Sequence, residues 1–258
     1  METVAFVSIW PDTSLGHRPM LHVHGWCCDH RAMLPVARAF PSRAHLLVDL
    51  PGHGRSPAAK ALSIEEHARA LLPMLKKRVI LVGHSMGAQV AVALAAAAPP
   101  GAVAGAILLD PAHLVPTDKA MQAAEAMRAR LFEHPPGEIV RAFARAQLAG
   151  PVADAAAFDA LVDAMATTPA ETARMQWEEM LAYARSGAAA RALAGIAAPV
   201  LAIACATPVN RLSDLASANP GLMTGQVAGA GHMLQFEAMD QVAAMVRRWL
   251  RLHAIDSA

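Results

Sequence analysis

The chain alternates between two hydrophobic rhythms. Short apolar runs closed by glycine or proline read as buried strands, and the stretches between them place apolar residues at helical spacing. Residues 1–19 predict an edge strand and turn ending with Pro11, Gly16 and Pro19. Met20-Leu21-His22-Val23-His24 is a short strand, and Gly25-Trp26 starts a loop. Met33, Val36, Ala37 and Phe40 share one helical face over 30–40, with Asp29 placed to cap it. Residues 44–50 form a strand ended by Pro51-Gly52-His53-Gly54, and Ser63 with Glu66 is a capping box for a helix toward Lys77.

Next comes Val79-Ile80-Leu81-Val82-Gly83-His84-Ser85-Met86-Gly87, a β-branched run ending in G-x-S-x-G with an Ala-rich helix (86–98) directly behind it. Strand, sharp turn and helix are the context in which such a serine becomes a nucleophile. The two glycines let strand and helix approach closely while the serine takes a strained conformation. A strand over 105–109 ends at Asp110-Pro111. Alternating strands and helices with short turns imply an α/β domain with a parallel sheet buried on both faces.

The rhythm fails between 112 and 195, where Ala, Met, Arg and Glu recur at helical spacing between proline-rich breaks. This predicts a helical lid inserted into a core made of 1–111 and 196–258. Strands over 199–205 and 223–227, a short helix over 211–218 and a terminal helix over 237–253 complete the core.

Composition narrows the class. The 258 residues carry 22 basic and 21 acidic side chains with no like-charge block, so nucleic acid is not an expected partner. The apolar stretch 88–109 approaches membrane-span length, but Pro99, Pro100 and Gly101 divide it, and no membrane partner is expected. Residues 1–10 lack a positive segment and a cleavage site, so they read as a strand and not a signal peptide. Three cysteines, two of them adjacent, make no disulfide framework, which points to reduced thiols and a cytoplasmic location.

A serine needs a base, most often histidine. Of 12 histidines, His232 stands out because Gly229-Ala230-Gly231-His232-Met233 is a flexible loop between a strand and a helix. The base needs an orienting carboxylate between serine and histidine in chain order. Asp110 ends its strand at the edge where sites in open α/β sheets form, whereas 206–210 (Ala-Thr-Pro-Val-Asn) offers no acid. The backbone N–H groups of Met86 and Trp26 are candidate oxyanion donors. The side chains of Trp26, His84, Met86 and Met233 are expected to line the substrate pocket.

Other features take plainer readings. His22, His24, Asp29 and His30 hint at a metal cluster, but Trp26 and Cys27 stand where ligands would be needed, so no metal is expected. Gly52-His53-Gly54-Arg55-Ser56 has no phosphate-loop lysine and reads as a turn. The lid methionines, with Phe132, Phe143, Trp177 and Tyr183, read mostly as core, some of them facing substrate.

Taken in order, His24-Gly25-Trp26, 49–56 (Asp-Leu-Pro-Gly-His-Gly-Arg-Ser), Gly83-His84-Ser85-Met86-Gly87 and Gly229-Ala230-Gly231-His232 resemble the sequence blocks of α/β-hydrolase-fold proteins. The resemblance covers nearly the whole chain. It implies a mostly parallel eight-stranded sheet, a variable lid after the sixth strand and no cofactor. It also implies Ser85 as nucleophile, His232 as base, and Trp26 and Met86 as oxyanion donors. Most such proteins carry the acid after the seventh strand, where Thr207-Pro208 stands here. A minority carry it after the sixth, which is Asp110. The stretch 25–31 (Gly-Trp-Cys-Cys-Asp-His-Arg) is also similar to a segment of the cofactor-free dioxygenases that cleave N-heteroaromatic rings on this fold.

The leading expectation is a serine hydrolase of carboxylic esters with small apolar acyl or aryl groups, a monomer or homodimer. A cofactor-independent oxygenase of a hydroxylated aromatic is the alternative from another reaction class, and lactone or carbon–carbon bond hydrolysis would use the same residues. A non-catalytic ligand receptor is less consistent with retention of serine, acid and histidine together.

Overall fold

The structure, a computed structural model, describes residues 4–9 and 16–256. Among the described residues seven strands form one sheet: β1 (Ala5–Ile9), β2 (Met20–Val23), β3 (His45–Asp49), β4 (Val79–His84), β5 (Val103–Leu109), β6 (Val200–Ala204) and β7 (Leu222–Gln226). Their order is β1-β3-β2-β4-β5-β6-β7, with β1 antiparallel at one edge and every other pairing parallel. The described residues hold seven strands where eight were expected. Before β2 the described residues supply one edge strand, and residues 1–3 and 10–15 lie outside them. Pro11, assigned to the first turn, is likewise outside.

Helices α1 (Leu34–Ala39), α2 (Ile64–Leu71) and α3 (Met86–Ala97) connect the first strands. The helix anticipated over 30–40 opens as a tight 3-10 turn at His30–Met33, which Asp29 caps by accepting the Arg31 N–H. Pro35 then sits in the first turn of α1, where a missing N–H costs nothing. At α2, Ser63 accepts the Glu66 N–H, but the Glu66 carboxylate turns to Arg69, so only half of the capping box forms.

Between β5 and β6 lie α4 (Asp118–Glu133), α5 (Pro136–Ala146), α6 (Ala155–Ala166), α7 (Ala170–Arg185) and α8 (Ala188–Ala194). Then follow α9 (Leu212–Ala218), α10 (Leu234–Glu237) and α11 (Met239–Leu252); the terminal helix anticipated over 237–253 is α11, which Ala238 separates from the short α10 before it. No described helix is long and apolar enough to cross a membrane.

The core lies on both sheet faces. One side packs α2, α3 and the helices after β5, and the other packs α1 and α11. All six residues of β4 are buried, as a central parallel strand requires. The neighbours of β2 lie on its two sides, β3 on one and β4 on the other, so the chain reverses its direction of travel across the sheet there. In open α/β sheets such a reversal opens a crevice at the carboxyl ends of the strands. The loops after β2, β4, β5 and β7 all emerge at that edge.

Candidate active site

The turn after β4 is forced into an unusual shape. Ser85 has φ +55° and ψ −121°, a conformation that costs about 1–3 kcal/mol and persists only where the surroundings hold it. The Ser85 N–H donates to Leu109 O at 3.0 Å, and Ser85 O accepts the N–H groups of Ala88 and Ala112. The flanking glycines are required by contact. A Cβ on Gly83 would lie 2.3 Å from Gly87 O, and one on Gly87 would lie 2.3 Å from Val23 O. Strand, helix and the end of β2 therefore meet backbone to backbone, and the serine hydroxyl is lifted to the rim.

Three side chains remote in sequence join there. Ser85 Oγ donates to His232 Nε2 at 2.8 Å, and His232 Nδ1 donates to Asp110 Oδ2 at 2.5 Å. The second Asp110 oxygen accepts the Cys205 N–H at 3.0 Å. Burial pushes the Asp110 carboxyl up, but the hydrogen bond and charge of His232, with the Cys205 N–H, outweigh it and leave a net downward shift. Asp110 therefore stays an anion that fixes the imidazole tautomer. A hydroxyl, an imidazole and a carboxylate in this order can withdraw a proton from the oxygen and return it to a leaving group.

His232 is held from two sides. His84 Nε2 donates to His232 O at 2.9 Å, and the His232 N–H donates to Gln147 O at 2.8 Å. Burial, then the charge of His232, push His84 down to about 3, so it is a neutral donor. Glu237 adds a clamp that sequence reading did not single out. Its Oε1 accepts the N–H groups of Ala149 (2.8 Å) and Gly150 (2.7 Å), and its Oε2 accepts that of Gly231 (3.0 Å). Asn210 plays a comparable part between the loops after β5 and β6, donating to Pro111 O at 2.6 Å and accepting the Val115 N–H at 2.9 Å. No local pattern marks either residue, because their partners lie up to 99 positions away.

Above Ser85 is a cavity of about 400 Å³. Trp26, Phe143 and Trp177 make one wall, packed edge to face with ring centres 4.8–5.8 Å apart. The two indole N–H groups are spent on Ala173 O and Ala124 O, so the rings are tied to α7 and α4. Met127, Met180 and several alanines add apolar surface, and His113, Gln147 and Thr207 contribute polar atoms. Among the described residues neither the Trp26 nor the Met86 backbone N–H has an acceptor.

Of the four side chains anticipated at the pocket wall, Trp26 is there and His84, Met86 and Met233 are not. His84 is the last residue of β4 and turns beneath His232, while Met86, in the first turn of α3, and Met233 are buried in the core on the α3 side of the sheet. Adjacency in sequence to a rim residue placed them wrongly, because successive positions at a strand–helix junction face different ways. The block 49–56 is structural. Asp49 accepts the N–H and ring nitrogen of His30 and the N–H and Nε of Arg55, and a Cβ on Gly54 would lie 2.6 Å from its Cγ. Asp29, His30 and Asp49 bring possible ligand atoms within 4.8 Å of one another. Both carboxylates are committed to arginine, Asp29 to Arg31 and Asp49 to Arg55.

A family model described as the alpha/beta hydrolase family matches residues 20–245. The chain is 36% identical over 118 residues to lipase LipV of Mycobacterium tuberculosis, a match spanning 44% of this chain and 45% of that one. It is 33% identical over 91 residues to a pimeloyl-[acyl-carrier protein] methyl ester esterase of Pectobacterium carotovorum, spanning 35% of this chain and 36% of the other. Each match thus spans less than half the length of the relative. The solved structure of an esterase from Exiguobacterium antarcticum superposes with a TM-score of 0.80 at 15% identity, covering 97% of this chain and all of that one, a likeness of fold. With that match spanning β2 to β7, the Ser85 turn and the His232 loop alike, the chain belongs to the alpha/beta hydrolase family.

Proposed function

We propose that this protein hydrolyses carboxylic esters of small apolar acyl or aryl groups through an acyl-enzyme on Ser85. The observation that carries the reading is the Ser85–His232–Asp110 chain, with spacings of 2.8 and 2.5 Å, opening into an aromatic-walled cavity. Ser85 Oγ attacks the acyl carbonyl carbon while His232 Nε2 takes the hydroxyl proton, and Asp110 stabilises the imidazolium that results. The carbonyl oxygen, now an alkoxide, accepts from the Trp26 and Met86 N–H groups. Collapse of the adduct breaks the bond to the alcohol oxygen, which leaves with the proton from Nε2. Water repeats the sequence on the acyl-enzyme and releases the acid.

Residues 112–195 are read as a cap over this site, with Trp177 and Phe143 as its contribution to the wall. The relatives' names include an esterase of a carrier-bound ester, whereas the surface here favours a free one. Residues 118–185 carry ten Asp and Glu against seven Lys and Arg. Arg128, Arg141, Arg145 and Arg185 are each paired with an acid of the same segment. An acidic carrier would meet no free positive patch on those arginines.

Short-acyl nitrophenyl esters test the reading. The wild type is expected to release nitrophenolate in a burst followed by steady turnover, and Ser85→Ala to show neither. Equal rates in the two proteins would remove the covalent mechanism. Uptake of O2 with a hydroxylated aromatic, in the absence of ester turnover, would replace hydrolysis by oxygenation.

A further inference from the structure

Outside the catalytic trio, His113, Gln147 and Thr207 bring polar side chains to the cavity, and one of the three is an imidazole. His113 lines the cavity from the loop after β5, three residues beyond Asp110. Its backbone stands at φ +40°, in the left-handed region that disfavours most side chains, and its carbonyl accepts from Gln89 Nε2 at 3.4 Å. The residue is 5% exposed, and its Nδ1 is sealed without a partner. The proton of a neutral ring has two possible places. On Nδ1 it would bury an unpaired N–H; on Nε2 it leaves only an unpaired lone pair, the lesser cost. Nε2, the nitrogen left open to the cavity, is therefore a donor. Burial, then the charge of His232, push His113 down to about 4, so the ring is uncharged near neutral pH.

The scissile carbonyl oxygen already has the N–H groups of Trp26 and Met86 to receive it, so the His113 donor, held in place by its buried ring where Gln147 and Thr207 are adaptable, calls for a second acceptor on the ligand. Among the described residues no lysine or arginine lines the cavity to offset an anionic group. We propose that His113 Nε2 is a specificity-determining donor, and that the substrate is an uncharged ester carrying an additional oxo, ether or hydroxyl oxygen. The assignment rests on the ester-hydrolase reading above.

The probes are nitrophenyl valerate and nitrophenyl levulinate, equal in chain length and differing by one oxo oxygen. Each kcat/KM is divided by the ester's hydroxide-catalysed rate, which removes the difference in intrinsic reactivity. The wild type is expected to favour the levulinate about fivefold, the worth of one net hydrogen bond. Asparagine tolerates positive φ but is too short to put an N–H where Nε2 stands, so in His113→Asn the preference falls to about one through a raised KM for the levulinate. Glutamine reaches farther, and His113→Gln keeps part of the preference. A wild-type ratio of one or below overturns the proposal even if the asparagine variant does not fold, and so does a ratio that survives in His113→Asn. If the wild type turns over neither ester, or Ser85→Ala matches it, the hydrolase reading falls first and takes this assignment with it. A wild type that is active without preference sinks the His113 role alone.

Discussion

Mild acid should unfold this protein well before its carboxylates protonate. His22, His53, His67, His84 and His113 are buried, and burial is the largest cause holding each below its ordinary value of 6.5: His84 at about 3, His67 and His113 at about 4, and His22 and His53 well down. In the unfolded chain the same rings titrate near 6.5, so between that value and the folded values the unfolded state binds more protons. Stability is therefore full above about pH 7 and falls as pH drops through 6.5. At pH 5.5 each ring protonated only on unfolding favours the unfolded chain by about 1.4 kcal/mol, and five together by about 7 kcal/mol. That is a large share of the roughly 5–15 kcal/mol by which domains are stable. The downward-shifted carboxyls, Asp29, Asp49, Asp110, Asp163 and Asp256, act in the same direction but only below about pH 4, so they do not blur the window. Urea unfolding followed by tryptophan fluorescence at pH 7.5 and 5.5 reads the effect. The midpoint is expected to collapse toward zero urea at the lower pH. His53→Phe, which removes a ring whose Nε2 has no partner, should recover about 1.4 kcal/mol of the difference. An unchanged midpoint at pH 5.5 refutes the argument, because it would mean these rings accept protons in the folded state.

Other outcomes follow from the site. Asp110→Asn, which removes the anion but keeps the shape, should lower ester kcat by about 10³–10⁴-fold with the far-UV circular dichroism unchanged; a loss below tenfold would move the acid's role elsewhere. Gly87→Ala places a methyl 2.3 Å from the Val23 carbonyl and should cost about 1–3 kcal/mol in urea unfolding as well as activity. Glu237→Ala strips an acceptor from three N–H groups, and kcat should fall while Glu237→Gln keeps part of it; wild-type kcat in the alanine variant would show that the clamp does not position His232.

What could be read beforehand was what is local. The run from Val79 to Gly87 announced strand, turn and helix because each of its residues answers to immediate neighbours, and the Pro99-Pro100-Gly101 break correctly divided an apolar stretch into α3 and β5. Asp110 was marked by lying at a strand's carboxyl end, and the structure does put it against His232. Residues defined by distant partners were not legible. His84, Met86 and Met233 turn into the core although their neighbours stand at the rim, and even a local choice can go unread when two partners compete, as Glu66 pairs with Arg69 and not with its own cap. His113 and Glu237 carry no pattern at all, since their surroundings are assembled from loops far apart in the chain.

The Glu237 carboxylate fastens two things with one knot. Residues 149 and 150 of the proposed cap and the glycine just before His232 hang from the same side chain. Should that part of the cap lift to admit a ligand, the imidazole's loop would lose its mooring in the same movement. An open molecule would then be an idle one, with the proton relay reassembling only as the door shuts behind its guest.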